Sequence, residues 1–174
     1  FIGRQKELNL LESLYLSKKF EMLILHGRRR VGKSYLLSHF ANLHSKNVVY
    51  FTGDKSSEKN NVKNFCEELN KVLAAGDFIK SFTTWNDVYS FLKNAEIKER
   101  LVLIIDEFTY LYNSNPAYDS ELQNAIDKIL KLKNIFLIKI ISKKHLKNHE
   151  KNFFSNYTPR YNSKFCYSST IISL

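Results

Sequence analysis

Gly27-Arg28-Arg29-Arg30-Val31-Gly32-Lys33-Ser34 is the stretch on which the fold turns. It fits GxxxxGK[ST], the pattern of a loop that cradles phosphate. The pattern carries weight only between a strand and a helix, and both flanks comply. Met22 to Leu25 is a short apolar run ending in His26-Gly27, which reads as a buried strand meeting a turn. Ser34 to Leu43 places Leu36, Leu37 and Phe40 on one helical face. Gly27 and Gly32 are expected to take backbone conformations that a side chain would obstruct. The loop's N–H groups then converge on phosphate oxygens, helped by the positive end of the helix dipole. On this reading Lys33 reaches the β- and γ-phosphates and Ser34 offers its hydroxyl to Mg2+. Arg28, Arg29 and Arg30 fill the variable positions, where they neutralise phosphate charge, contact a partner or face solvent.

A second stretch supports the first. Leu101-Val102-Leu103-Ile104-Ile105-Asp106-Glu107 is an apolar strand ending in two carboxylates. Charges are costly inside a sheet, so they belong at its C-terminal edge, where open α/β sheets bind ligands. Asp106 is the expected holder of Mg2+, through water, and Glu107 the expected general base for an attacking water.

Outward from these motifs, strands and helices alternate. The spacing predicts helices over 5–16, 34–43, 61–73, 85–92 and 120–132. It predicts strands over 22–25, 48–51, 101–105 and 135–141. Strands separated by helices imply crossover connections and a parallel sheet. Beyond Ile141 the periodicity fades. Residues 143–164 read as loop, and Tyr167 to Leu174 as a candidate last strand. The expected organisation is a domain over 1–142 and a basic tail over 143–174 ending in a short strand.

Composition sets limits. A hydrophobic share of 44% excludes an unstructured chain, and 174 residues suit one domain. Cys66 and Cys166 are in no metal-type spacing, and no disulfide framework is implied. A reduced, cytoplasmic setting is the expectation. The apolar runs are too short to span a bilayer. The start lacks a signal-type core and an initiating Met, as in a processed or trimmed chain. Residues 139–174 hold seven Lys/Arg against one acid, Glu150, and so carry +6 of the net +10. Such a tail either binds nucleic acid by displacing counterions or is a solvated surface.

These residues resemble a known family, the archaeal-type P-loop ATPases of the AAA-related and STAND-like group. Phe1-Ile2-Gly3-Arg4-Gln5-Lys6-Glu7-Leu8 is similar to that family's opening F-x-G-R-x-x-E-L box. Gly27 to Ser34 resembles its Walker A motif. Ile105-Asp106-Glu107-Phe108-Thr109-Tyr110-Leu111 resembles its I-D-E-F-x-Y-L Walker B motif, the most specific of the three. The resemblance implies a three-layer α/β P-loop NTPase fold. Its parallel sheet is of the additional-strand type, with the strand after Walker B inserted between the Walker A and Walker B strands. It implies ATP and Mg2+ as cofactors, with Ile2 and Gly3 near the adenine. The expected binding set is Ile2, Gly3, Gly27, Arg28, Arg29, Arg30, Val31, Gly32, Lys33, Ser34 and Tyr35. The metal set is Ser34 and Asp106, and the catalytic pair is Lys33 and Glu107.

The chain departs from the family twice. A small polar run usually follows the fourth strand, and here Lys139-Ile140-Ile141-Ser142 leaves only Ser142 to stand in. A lid and a winged-helix-like region usually follow. Residues 143–174 therefore read as a truncated or irregular C-terminal part, with Arg160 its one arginine. The leading reading is Mg-dependent ATP hydrolysis, and the alternative is a nucleotide-binding switch or interaction module with little turnover. A small-molecule kinase and a nucleic-acid-associated motor are further readings. The expected partners are ATP, a protein or a second copy of the chain, and nucleic acid through the tail; no membrane is expected.

Overall fold

The computed structural model describes residues 3–142 and 169–174. Five strands form one sheet: β1 (Glu21–Gly27), β2 (Val48–Thr52), β3 (Leu101–Asp106), β4 (Ile135–Ser142) and β5 (Ser169–Ser173). Their spatial order is β2-β3-β4-β1-β5, and every pair is parallel. β4 thus lies between β1, which leads into the glycine loop, and β3, which ends in Asp106. This is the inserted-strand order that the resemblance implies.

Strands β3 and β4 are buried along their full length, because helices cover both faces of the sheet. Alternate residues feed two cores. One face presents Ile24, Leu103, Ile105 and Leu137 to α3 (Glu58–Leu73), α4 (Trp85–Asn94) and α6 (Tyr118–Lys128). The other presents Leu23, Leu25, Ile104 and Ile138 to α1 (Gln5–Leu16) and α2 (Lys33–Leu43). A short α5 (Thr109–Ser114) follows β3 directly. The result is three layers, helix on sheet on helix.

Local chemistry explains where the elements begin. Ser57 caps α3 by accepting the Asn60 N–H, so that helix starts three residues before its apolar periodicity. Thr84 and Asp87 form a reciprocal capping box on α4. The helix expected over 120–132 is interrupted. Ile129 leaves helical geometry (φ −129°, ψ −64°), and Leu130–Leu132 form a 3-10 turn that brings Leu130 into the core.

The strand expected near the C-terminus is β5. It pairs with β1 in the register Leu23↔Thr170 and Leu25↔Ile172, so part of the expected tail belongs to the sheet. The loop expected over 143–164, with Arg160, lies outside the described residues.

Candidate functional site

Parallel strands end together, so the C-terminal ends of β1, β3 and β4 meet at one edge. Gly27 is level with Ser142 of β4, and Thr52 of β2 is level with Asp106 of β3. Residues 27–34 arch over this edge.

Two positive-φ residues shape the loop, Arg30 (φ 67°) and Gly32 (φ 84°). A left-handed residue next to right-handed ones turns successive N–H groups toward one side, which is the geometry of an anion nest. Gly32 caps α2 with no side-chain bond, so the first-turn N–H groups of that helix keep no cap. Gly27 serves otherwise than expected. Its φ is unexceptional, but a Cβ there would lie 2.1 Å from the Leu174 carbonyl oxygen. Gly27 is needed for the close approach of the chain after β5, and Gly32 for its backbone angle.

The side chains converge beneath the loop. The Lys33 ammonium donates to the carbonyls of Gly27 (3.1 Å) and Arg28 (2.7 Å). Burial pushes it below the usual lysine range, and Asp106 and Glu107 oppose that shift. Ser34 Oγ donates to Asp106 Oδ2 at 2.7 Å, which ties the loop's helix to the end of β3. The Glu107 N–H donates to Asp106 Oδ1 at 2.8 Å. Glu107 itself sits at φ 49°, an uncommon conformation for a residue with a Cβ. Its Oε2 is buried with no hydrogen-bond partner among the described residues.

Lys33, Ser34, Asp106 and Glu107 are therefore brought together from two parts of the chain. Arg28, Arg29 and Arg30 are exposed on the loop, and Tyr35 is exposed on the first turn of α2. Gly3 is exposed at φ 94°, and Ile2 lies outside the described residues. Ser142 is buried beside Gly27.

Two residues of the site lie outside the expected site set. Arg4 donates to the Val31 carbonyl at 3.0 Å and to Glu7 at 3.0 Å, so the opening box fastens onto the loop. The R-x-x-E spacing on a helix start was the available signal. Tyr50 donates to Asp106 Oδ2 at 3.1 Å from the neighbouring strand. No local pattern announces it.

Ser34 and Asp106 offer hard oxygen donors 2.7 Å apart, a set that suits Mg2+ completed by waters and phosphate oxygens. No cluster of three His, Cys, Asp or Glu occurs among the described residues, so no all-protein cage competes with that arrangement.

Comparison with known proteins bears on this geometry. A family model described as an ATPase domain predominantly from Archaea matches residues 1–154. This chain belongs to that family. The ATPase domain is 30% identical over 131 residues to an uncharacterized protein of Methanocaldococcus jannaschii, covering 75% of this chain and 27% of that one. It is 45% identical over 40 residues to an uncharacterized ATP-binding protein of the same organism, covering 23% of this chain and 68% of that one. Among solved structures, its fold is similar to the ORC2 protein of Aeropyrum pernix, in ADPNP and ADP complexes. There the TM-score is 0.62 and the identity 15%, over 99% of this chain and 48% of that one. It is also similar to a Walker-type ATPase of Pyrococcus abyssi, with TM-score 0.60 and identity 14%, over 99% and 54%. A third likeness is to Drosophila ORC bound to DNA, with TM-score 0.66 and identity 18%, over 100% and 43%. The domain thus spans about a quarter of the first relative and about half of these structures. Membership makes it an ATP-binding ATPase domain. Among the described residues no helix is long and apolar enough to cross a membrane.

Proposed function

We propose that this domain hydrolyses ATP to ADP and phosphate with Mg2+. The observation that carries the reading is the 2.7 Å bond between Ser34 and Asp106, with the buried Glu107 Oε2 beside it. Lys33 would exchange its two carbonyl acceptors for β- and γ-phosphate oxygens. The loop from Gly27 to Ser34 would enclose the phosphates, with Arg28, Arg29 and Arg30 adding positive charge at its rim. Tyr35, Ile2 and Gly3 complete the binding set, the last two toward the base.

Ser34 and Asp106 would hold Mg2+, which when bound neutralises charge on the phosphates. Glu107 would take a proton from water as the water oxygen bonds to the γ-phosphorus and the bond to the ADP oxygen breaks. A carboxylate oxygen that no donor among the described residues claims suits that task, since its lone pairs are open to a water proton. Positioning and charge neutralisation supply most of the rate.

The test pairs a phosphate-release assay with a nucleotide-binding titration. Glu107→Gln is expected to cut turnover on the order of 10²- to 10⁴-fold and to leave ATP affinity within a few-fold. Turnover by that variant at the parent rate would remove Glu107 from the role.

A second reading is a nucleotide-controlled switch with little turnover. It is favoured by β4, whose last four residues offer only Ser142 as a polar group beside Gly27. Parent protein that binds ATP tightly and releases no phosphate would select it. In either case we take 1–142 as the ATPase unit and 143–174 as a basic tail whose last strand, β5, joins that unit's sheet. A cytoplasmic setting is proposed, with a protein, a second copy or nucleic acid as the partner.

A further inference from the structure

The site's acid is held by a residue that none of the motifs contains. Asp106 Oδ1 accepts from the Glu107 N–H, and Oδ2 accepts from both Ser34 Oγ and the Tyr50 hydroxyl. Tyr50 is in β2, one strand beyond β3. Its partner in register is Ile104, two residues before Asp106 and on the same face. A phenol is long enough to climb that distance, so Tyr50 reaches up its neighbour strand and ends on the carboxylate.

We infer that Tyr50 is a positioning residue for divalent-cation binding: its hydroxyl fixes the Asp106 carboxylate in the orientation that presents it, together with Ser34, to the cation. The inference rests on the reading that Ser34 and Asp106 hold Mg2+. Ser34 Oγ gives its one proton to Asp106 and keeps lone pairs for the cation. The Tyr50 ring packs against the core beneath α1 and α2, and its hydroxyl, which also meets Ser34 and Ser38, ends on the carboxylate. Residues that orient a metal ligand in this way are worth about 10- to 100-fold in metal affinity.

The experiment uses the whole chain, a fluorescent ATP analogue and a Mg2+ titration. Parent protein, Tyr50→Phe and Thr52→Val are compared. Thr52, on the same strand as Tyr50 and level with Asp106 of β3, serves as the local control. Tyr50→Phe is expected to move the Mg2+ midpoint of analogue binding about tenfold higher. Its affinity in EDTA and its ligand-free unfolding midpoint should match the parent, and Thr52→Val should leave all three in place. An unmoved Mg2+ midpoint in Tyr50→Phe overturns the inference. So does an equal shift in Thr52→Val, or a loss of affinity in EDTA. A Tyr50→Phe chain that does not fold overturns it too, because a hydroxyl that only orients Asp106 is dispensable to folding. Parent protein whose analogue binding ignores Mg2+ would instead reject the metal reading of Ser34 and Asp106.

Discussion

At the N-terminal ends of the strands, Arg100 is fixed by the carbonyls of Lys19 and Leu14 and by Asn134 Oδ1, with its guanidinium over the Phe136 ring. At the C-terminal ends of the same strands, Lys33 rests on two loop carbonyls, Glu107 keeps a buried oxygen unbonded within the described residues, and Arg30 and Glu107 sit at positive φ. Both edges place charge against the same sheet. One edge fixes both terminal nitrogens of its cation on acceptors from separate segments, leaving only Nε without a hydrogen-bond partner among the described residues. The other holds groups whose bonds can be traded. Strain and unmet polar groups persist only where the surroundings enforce them, and they gather where ligands bind. The sheet therefore separates its duties by end: cohesion at one edge and exchange at the other.

The largest effect should come from breaking the cohesive edge. Arg100→Met keeps the aliphatic stem but strips donors from buried acceptors. It should cost about 3 kcal/mol, or roughly 10 °C in unfolding midpoint, while ATP affinity of the folded fraction stays within a few-fold. Calorimetry beside a nucleotide titration reads both, and a selective loss of affinity would erase the division between the edges.

An intermediate effect lies between the two edges, at Lys139 in β4. It is fully buried, with its ammonium 4.6 Å from the centre of the Phe108 ring. Burial, partly opposed by Asp119, brings its pKa down to about 7 from an ordinary 10.5. Because the folded state holds this proton less tightly than the unfolded chain, the cost of the buried charge is fully present below pH 7. It fades as pH rises from about 7 to 10.5, so the Lys139 contribution makes the fold more stable across that window. Lys139→Met should flatten this rise and stabilise the domain by about 2 kcal/mol at pH 6. Denaturant midpoints from pH 6 to 10 provide the measurement, and an unchanged slope would refute the assignment.

The smallest effect belongs to the exchange edge. Arg30→Gly relieves a left-handed arginine, a strain of about 1–2 kcal/mol, against an unfolded-state entropy cost of up to about 1 kcal/mol. A net gain below about 1 kcal/mol is expected in chemical denaturation. A clear loss would show that the arginine's contacts, and not its backbone angle, dominate at that position.

These contrasts also mark what the residue order could reveal. Contiguous features were legible. The apolar run into Asp106-Glu107, the loop from Gly27 to Ser34 and the helices around them depend on neighbours a few positions away. The strand order was available only through the family resemblance, since no local signal says that β4 inserts between β1 and β3. Arg4 on Val31, Tyr50 on Asp106 and Arg100 on Lys19 join residues remote in sequence, so their partners follow from topology alone. Gly27 illustrates the same limit. A glycine was expected there, but its reason is the approach of Leu174, and no reading of the loop by itself supplies that.

The edge position of β5 has a consequence for how the domain is made. β1 ends at Gly27, yet the strands on either side of it begin only at Ile135 and Ser169. The loop leaves the ribosome before the strands that wall it. Contacts so distant in sequence are slow to close and leave apolar strands uncovered meanwhile. During synthesis the loop end of this sheet is therefore written before its flanking strands and finished only with them.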